Sequence, residues 1–428
     1  MNTKVAFYTI GCRLNQAETA VLQQSLEEQG CQVVDFHQSA EVVVVNTCTV
    51  TENGDTDTRK LINKINRIHP QARIALLGCQ AQIEREALLE MPNVFWVIGN
   101  SRKMEFAGIL QNSLNDSQPQ VITPVIGRES FTQPAAGIDR RHTRANLKIQ
   151  DGCDSFCSFC VIPYARGRAR SRVFQDILKE AGELAAAGHR EVILTGINIG
   201  CYSYENKTLP DVIEALEKIQ SLRRIRISSV EPSTIPYAVI ERMKGGSKLC
   251  RHLHIPMQSG SDAVLRSMHR NYSAKEFADF IYTVHDQLPE ICLGTDVIVG
   301  FPGESDVHFQ ETRQLLSDLP LAYFHVFSYS ERPLARSRKL GPKVPPETIE
   351  QRSKILRELS AGKRRQYLEN TIGTIQPVLF EQSKNGCWNG LTDTYVRVKV
   401  RSIEPLHNQI LSVRIGEVDR NGVIGTLI

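Results

Sequence analysis

The chain has 428 residues, 41% of them hydrophobic and 23% charged, with a formal net charge of +4. That balance excludes a disordered chain, and no apolar run reaches the roughly 20 residues of a membrane span. The mild positive charge permits an acidic partner such as RNA without demanding one, while eleven cysteines behind a start with no secretory apolar segment point to metal or redox chemistry in the cytoplasm.

The first block, 1–112, alternates β and α. Strand patterns fall at Lys4–Ile10, Glu41–Asn46, Ala72–Gly78 and Val94–Ile98, with helical periodicity at Asn15–Gln29, Thr56–His69 and Gln82–Leu89. The run of four valines, Val42 to Val45, is that of a strand buried on both faces, so a parallel sheet with crossover helices is expected. Cys12, Cys48 and Cys79 each follow a predicted strand. In a parallel sheet those ends share one edge, which lets distant cysteines converge on a metal. Three separate buried thiols are the plain alternative.

Residues 113–141, with Pro119, Pro124 and Pro134, read as a linker. Between 142 and 370 six strand candidates alternate with helices: Leu147–Gln150, Glu191–Thr195, Ile225–Val230, Leu253–Ile255, Leu293–Val299 and Tyr323–Phe327. Six βα units predict a partial (β/α)6 barrel with function at the carboxyl ends of its strands. A charged closing helix is expected over Glu347–Gln366. The last block, 371–428, has short β segments and Gly/Asn turns, the pattern of a small all-β barrel. Its stretch Tyr395–Arg401 alternates cleanly and puts Arg397, Lys399 and Arg401 on one face. That face is either a solvated exterior or a surface that tracks phosphates.

The loop after the first barrel strand carries Cys153, Cys157 and Cys160. Cys-x3-Cys-x2-Cys lets one tight loop grip three corners of a 4Fe-4S cubane and leaves the fourth iron open. A structural zinc site is the competing reading, but it wants four ligands and no fourth Cys or His lies nearby. Beside it, Arg166, Arg168, Arg170 and Arg172 form a basic run suited to phosphate or carboxylate. Cys31, Cys250, Cys292 and Cys387 read as packing thiols, and Cys201 is given no ligand role.

The compact motif, with Phe159 before its third cysteine, resembles the signature of radical S-adenosylmethionine enzymes. The resemblance extends along the chain. Cys12 in Gly-Cys-Arg-Leu-Asn-Gln, Cys48 in Asn-Thr-Cys-Thr-Val-Thr and Cys79 in Leu-Gly-Cys are similar to the auxiliary-cluster ligands of the methylthiotransferases, whose terminal β-module is a TRAM domain. This resemblance implies two 4Fe-4S clusters, S-adenosylmethionine cleaved to a 5′-deoxyadenosyl radical, and transfer of a methylthio group to a C–H carbon. It implies cofactor contacts for Phe159, Asn198, Glu231 and Gln258, RNA contacts for Arg397, Lys399 and Arg401, and tRNA as partner. An electron donor such as a flavodoxin or ferredoxin and a sulfur source are also implied. Val45–Thr51 and Lys148–Cys153 are most similar to the branch that modifies N6-threonylcarbamoyladenosine beside the anticodon. Isopentenyladenosine or a ribosomal-protein aspartate is the alternative substrate, and a non-catalytic iron–sulfur RNA-binding or redox-sensing protein is the alternative of another class.

Overall fold

The computed structural model describes residues 3–49, 52–139, 142–420 and 422–428, excepting the side chains of residues 52–57. The motif residues Val50 and Thr51, the linker's last two arginines and the first side chains of the expected helix at Thr56 therefore lie outside the described residues.

The amino-terminal sheet combines β1 (Lys4–Thr9), β2 (Gln32–Val34), β3 (Val42–Thr47), β4 (Arg73–Gly78), β5 (Val94–Gly99) and β6 (Gln120–Ile122). It is wholly parallel, in the order β2-β1-β3-β4-β5-β6. Helices α1 (Arg13–Glu28), α2 (Glu52–Ile68), α3 (Cys79–Glu84) and α4 (Phe106–Ser113) cover its two faces. The valine run serves both. Val42 and Val44 pack with Leu22 and Leu26 of α1, whereas Val43 and Val45 pack with Leu61, Ile62 and Ile65 of α2. The sixth strand lies inside the stretch expected to be a linker. Three residues flanked by polar segments show no readable period, and pairing with β5 orders them. The short edge strand β2 was missed for the same reason.

The central barrel starts with β7 (Arg144–Lys148), the short pair β8 (Gln150–Asp151) and β9 (Arg170–Ser171) around α5 (Ile162–Arg166), then α6 (Phe174–Ala186) and β10 (Glu191–Thr195). A small hairpin, β11 (Ser203–Tyr204) with β12 (Lys207–Thr208), leads into α7 (Leu209–Glu217), β13 (Arg224–Ile227) and α8 (Tyr237–Lys244). The second half has β14 (His252–His254), α9 (Asp262–Ser267), α10 (Ala274–Gln287), β15 (Cys292–Val299), α11 (Asp306–Asp318), β16 (Tyr323–Ser328) and the closing α12 (Pro346–Glu369). Two three-stranded parallel sheets, β7-β10-β13 and β14-β15-β16, form the wall. Backbone bonds join them, Ile225 N to Lys248 O at 2.8 Å and Val230 N to His254 O at 3.1 Å. The expected six-stranded partial barrel is therefore present, around one large apolar core. Among the described residues no helix is long and apolar enough to cross a membrane.

The carboxyl-terminal module closes as β17 (Ile375–Lys384), β18 (Cys387–Thr392), β19 (Arg397–Arg401), β20 (Ile410–Asp419) and β21 (Gly422–Leu427), in the order β17-β18-β19-β21-β20. Val396, Val398 and Val400 fill its core while Arg397, Lys399 and Arg401 stay exposed. The module is bolted to the amino-terminal ends of the central strands. Arg224 donates to Leu391 O (2.9 Å) and Pro377 O (2.7 Å), Arg226 to Asp393 O (2.9 Å), and Arg144 pairs with Glu381 at 2.7 Å.

His252 sits at this junction, 2.9 Å from Tyr323 Oη and stacked on Tyr395 at 4.6 Å. Burial, with Arg226, His254, Arg13 and Arg364 close by, holds its imidazolium well below the ordinary 6.5. The unfolded chain then binds the extra proton first, so stability falls as pH drops below 6.5. We expect the urea midpoint to decline between about pH 6.5 and pH 5, and His252→Gln to flatten that slope. An identical slope in the variant would remove His252 as its cause.

Candidate active site

Strand order explains how three cysteines spread over 68 positions of sequence reach one edge of the sheet. β1, β3 and β4 are neighbours, and Thr47 pairs in register with Gly78. Cys48 and Cys79 therefore leave adjacent strands at one level, about 5 Å apart in the sheet. Cys12 caps the start of α1 three residues past the end of β1. Gly11 (φ +103°) is required there, because a Cβ would stand 2.9 Å from Cys48 Sγ. Order 2-1-3-4-5 has its topological switch between β1 and β3, the crevice where open parallel sheets bind ligands.

The other triad follows β8. Gly152 (φ +70°) turns the loop so tightly that a Cβ would meet Arg168 O. Each sulfur has a donor. Ser155 N lies 3.4 Å from Cys153 Sγ, Ile162 N lies 3.4 Å from Cys160 Sγ, and Arg270 Nη1 lies 3.1 Å from Cys157 Sγ. Burial pushes the Cys157 thiol up and the Cys160 thiol up to about 12, so as free thiols both would be inert at neutral pH. Three hydrogen-bonded sulfurs in one loop suit a cluster with an open iron.

The two triads share a seam. Asn100 donates both to Cys79 Sγ (3.5 Å) and to Ala165 O (2.7 Å) in α5. Beneath it lies a buried ionic network: Glu18 of α1 pairs with Lys103 (2.5 Å), Lys148 (2.7 Å) and Arg166 (3.0 Å), while Asp151 pairs with Lys148 (2.7 Å) and Arg166 (3.0 Å). Burial pushes Glu18 up, but the three cations together hold it well below the carboxylate range. Arg170 also reaches Asp151 at 3.5 Å, so four cations face two carboxylates, and Arg166 and Lys103 both lie within electrostatic range of Cys79. A residual positive charge at that place complements thiolate ligands.

The expected cofactor residues are distributed around the second triad. Phe159 packs on Val264, Met268 and Phe301 beside the loop after β15. Glu231 forms an ion pair with Arg270, the same guanidinium that reaches Cys157. Asn198 is buried, donates to Cys201 Sγ (3.2 Å) and accepts from Thr234 Oγ1 (2.9 Å). Gln258 (φ +69°) ties its backbone to β15 through Asp296 O and Ile298 N, each at 2.9 Å. The basic run is reassigned in part. Arg166 is consumed by Glu18 and Asp151, and Arg172 by Asp176 and Glu180, so neither is free for a phosphate. Sequence reasoning missed Arg270, Asn100, Lys103 and Arg332, whose Nη2 donates to Thr49 Oγ1 (2.8 Å) beside Cys48. Of the packing thiols, Cys250 and Cys292 are buried, Cys31 and Cys387 partly so, and Cys201 is exposed.

Comparison with known proteins decides the family. Residues 147–316 match the Radical SAM superfamily, and residues 4–99 match the uncharacterized protein family UPF0004. The chain is 36% identical over 399 residues to "Threonylcarbamoyladenosine tRNA methylthiotransferase MtaB" of Aquifex aeolicus, covering 92% of this chain and 96% of that protein. The protein of the same name from Bacillus subtilis is 35% identical over 96% of this chain and 93% of its own. The chain belongs to the radical S-adenosylmethionine methylthiotransferase family. As a methylthiotransferase it is a sulfur-transferring enzyme that uses S-adenosylmethionine and two 4Fe-4S clusters, and the residues of both triads fit that requirement. Another family member, "tRNA-2-methylthio-N(6)-dimethylallyladenosine synthase" of Syntrophobacter fumaroxidans, is 31% identical over 98% of this chain and 94% of its own. The fold is similar to the radical S-adenosylmethionine methyltransferase TsrM from Kitasatospora setae, at a TM-score of 0.57 and 15% identity over 91% of this chain and 81% of that one.

Proposed function

We propose that this enzyme attaches a methylthio group to C2 of N6-threonylcarbamoyladenosine beside the anticodon of tRNA. The observation that carries the reading is the shared seam, two open cysteine triads joined through Asn100 and the Glu18 network, in a chain whose most similar relatives bear that substrate in their names.

No side chain can deprotonate an adenine C2–H at neutral pH. When bound, the clusters and S-adenosylmethionine supply the radical and the methylated sulfur that bypass this barrier. The chain's own residues do the rest. Cys153, Cys157 and Cys160 hold one cluster, and Arg270, fixed by Glu231, donates to the Cys157 sulfur. Cys12, Cys48 and Cys79 hold the other. Phe159, Asn198 and Gln258 line the barrel's upper loops where the cofactor binds. The target base leaves its stack to reach the seam, at about a few kcal/mol and less in a single-stranded loop. Electrons come from a small carrier such as a flavodoxin or ferredoxin, and a separate sulfur source reloads the auxiliary site; the setting is the cytoplasm.

Arg397, Lys399 and Arg401 then grip tRNA phosphates. Replacing all three with alanine should weaken tRNA binding and lower the slope of log K against log salt by about 2 to 3. Lys399 is also paired with Asp419, so its share is the smallest. An unchanged slope would return this strand to a solvated exterior.

The reaction is tested by anaerobic incubation of the reconstituted enzyme with dithionite, S-adenosylmethionine and tRNA containing threonylcarbamoyladenosine, followed by nucleoside mass spectrometry. A 2-methylthio derivative of that nucleoside is expected. Product found only with isopentenyladenosine tRNA would transfer the enzyme to the other branch.

A further inference from the structure

A cavity of about 340 Å³ opens inside the central barrel, with charged side chains set in a partly apolar wall, and no residue of either cysteine triad lines it. Its walls come from all three parts of the chain: Arg13 at the start of α1, Ser228 and Ser229 after β13, Asp296 and His325 on β15 and β16, and Tyr395 of the terminal module. Arg13 directly follows Cys12, so one wall residue of the cavity is the chain neighbour of an auxiliary-triad cysteine.

The charges in it are unequally satisfied. Arg226, also in the wall, pairs with Glu191 at 2.7 Å. Asp296 accepts from His254 (2.9 Å) and His325 (3.1 Å); burial pushes its carboxyl up, but those hydrogen bonds hold it at about 2. Among the described residues Arg13 has a single polar partner, Tyr395 Oη at 3.0 Å, and no carboxylate lies within ion-pair distance of it. A half-buried guanidinium left with one phenol has four further N–H groups to satisfy, and a carboxylate answers its planar fork best.

We propose that this cavity receives the N6 substituent of the target adenosine, with Arg13 pairing to the carboxylate of that substituent. This rests on the chain acting on threonylcarbamoyladenosine. That substituent carries a carboxylate at one end and donor N–H and O–H groups along its length, for which Asp296 and Tyr395 are acceptors. A dimethylallyl group in the same place would leave Arg13 unpaired and strip water from Asp296, the situation in which a polar site rejects an apolar analogue strongly. Arg13 is thereby a specificity-determining residue, recognising substrate one residue from a cluster ligand.

The test uses the full reconstituted enzyme and anticodon stem-loops carrying threonylcarbamoyladenosine, its carboxyl methyl ester, or isopentenyladenosine. The wild type should prefer the acid to the ester by about 10- to 100-fold in kcat/KM, the range of one charge-assisted bond. Arg13→Ala should lose that factor on the acid and treat acid and ester alike, with iron and sulfide per chain as in the wild type. If the wild type turns over acid and ester equally, the role of Arg13 is overturned while the substrate reading stands. If it modifies only isopentenyladenosine, the substrate reading itself fails and the proposal with it. Should Arg13→Ala lose iron, the wild-type acid-to-ester ratio and the Arg13→Gln variant, which keeps side-chain length, decide. A preference for the acid that persists in Arg13→Gln overturns the proposal.

Discussion

Cys157→Ala is expected to abolish 5′-deoxyadenosine formation, whereas Cys79→Ala should still form it yet release no methylthiolated nucleoside. The asymmetry follows from position. Cys157 sits in the loop after β8, with Arg270 donating to its sulfur and Phe159 two residues away, and the proposed function assigns it to the site that cleaves S-adenosylmethionine. Cys79 opens α3 at the carboxyl end of β4 and touches the barrel through Asn100. Losing one of three thiolates empties a site that has no fourth protein ligand to fall back on. Each loss should exceed about 10³-fold, because the radical and the sulfur have no side-chain substitute. Iron analysis should show about half the metal in each variant. A Cys79→Ala enzyme that still methylthiolates tRNA would disprove the division of labour, and so would a Cys157→Ala enzyme that still forms 5′-deoxyadenosine.

The features legible in the sequence were those with a local period or a fixed spacing. The Val42–Val45 run announced a doubly covered strand, the alternation at Tyr395–Arg401 announced one basic and one apolar face, and Cys-x3-Cys-x2-Cys announced a cluster loop. Strand ends then implied that Cys12, Cys48 and Cys79 could share an edge, and the structure places them just past the ends of the neighbouring strands β1, β3 and β4. Long-range pairing of charges was not legible. Glu18 and Arg166 are separated by 148 positions, Arg13 and Tyr395 by 382, and nothing periodic links them. Burial of arginine is also invisible in one sequence, since the run Arg166 to Arg172 reads as a surface although its first and last members are almost fully enclosed. Two signals could have found part of what was missed: the adjacency of Arg13 to a ligand cysteine, and the placement of acidic Glu18 on the apolar side of α1 with Ala17, Val21 and Leu22.

That misplaced acid carries the second large effect. Glu18 is fully enclosed and, among the described residues, is the only carboxylate that meets Lys103, Lys148 and Arg166 together. Removing its charge takes from Lys103 the carboxylate it pairs with and leaves Lys148 and Arg166 to share Asp151 with Arg170. Breaking a buried pair by deleting one partner costs about 3–5 kcal/mol, far more than the pair contributes over an apolar replacement. Glu18→Gln should therefore destabilise the enzyme by about 3–5 kcal/mol in urea unfolding. Because α1 belongs to the amino-terminal domain and Lys148 and Arg166 to the barrel, the first transition should be separation of the two, seen as protease sensitivity in the stretch 123–139. Folded Glu18 titrates below its ordinary value, so its contribution is fully present above about pH 5 and disappears only on stronger acidification. Deleting the charge of Lys103 in the same chain removes one of the orphaned cations. Glu18→Gln with Lys103→Met should then recover roughly half of the loss, a coupling that independent sites would not show. A single variant within about 1 kcal/mol of wild type, or a double variant no better than the single, would mean that water or rearrangement satisfies the cations. The network would then be a passenger of the fold rather than the clamp that holds the two cysteine triads on one seam.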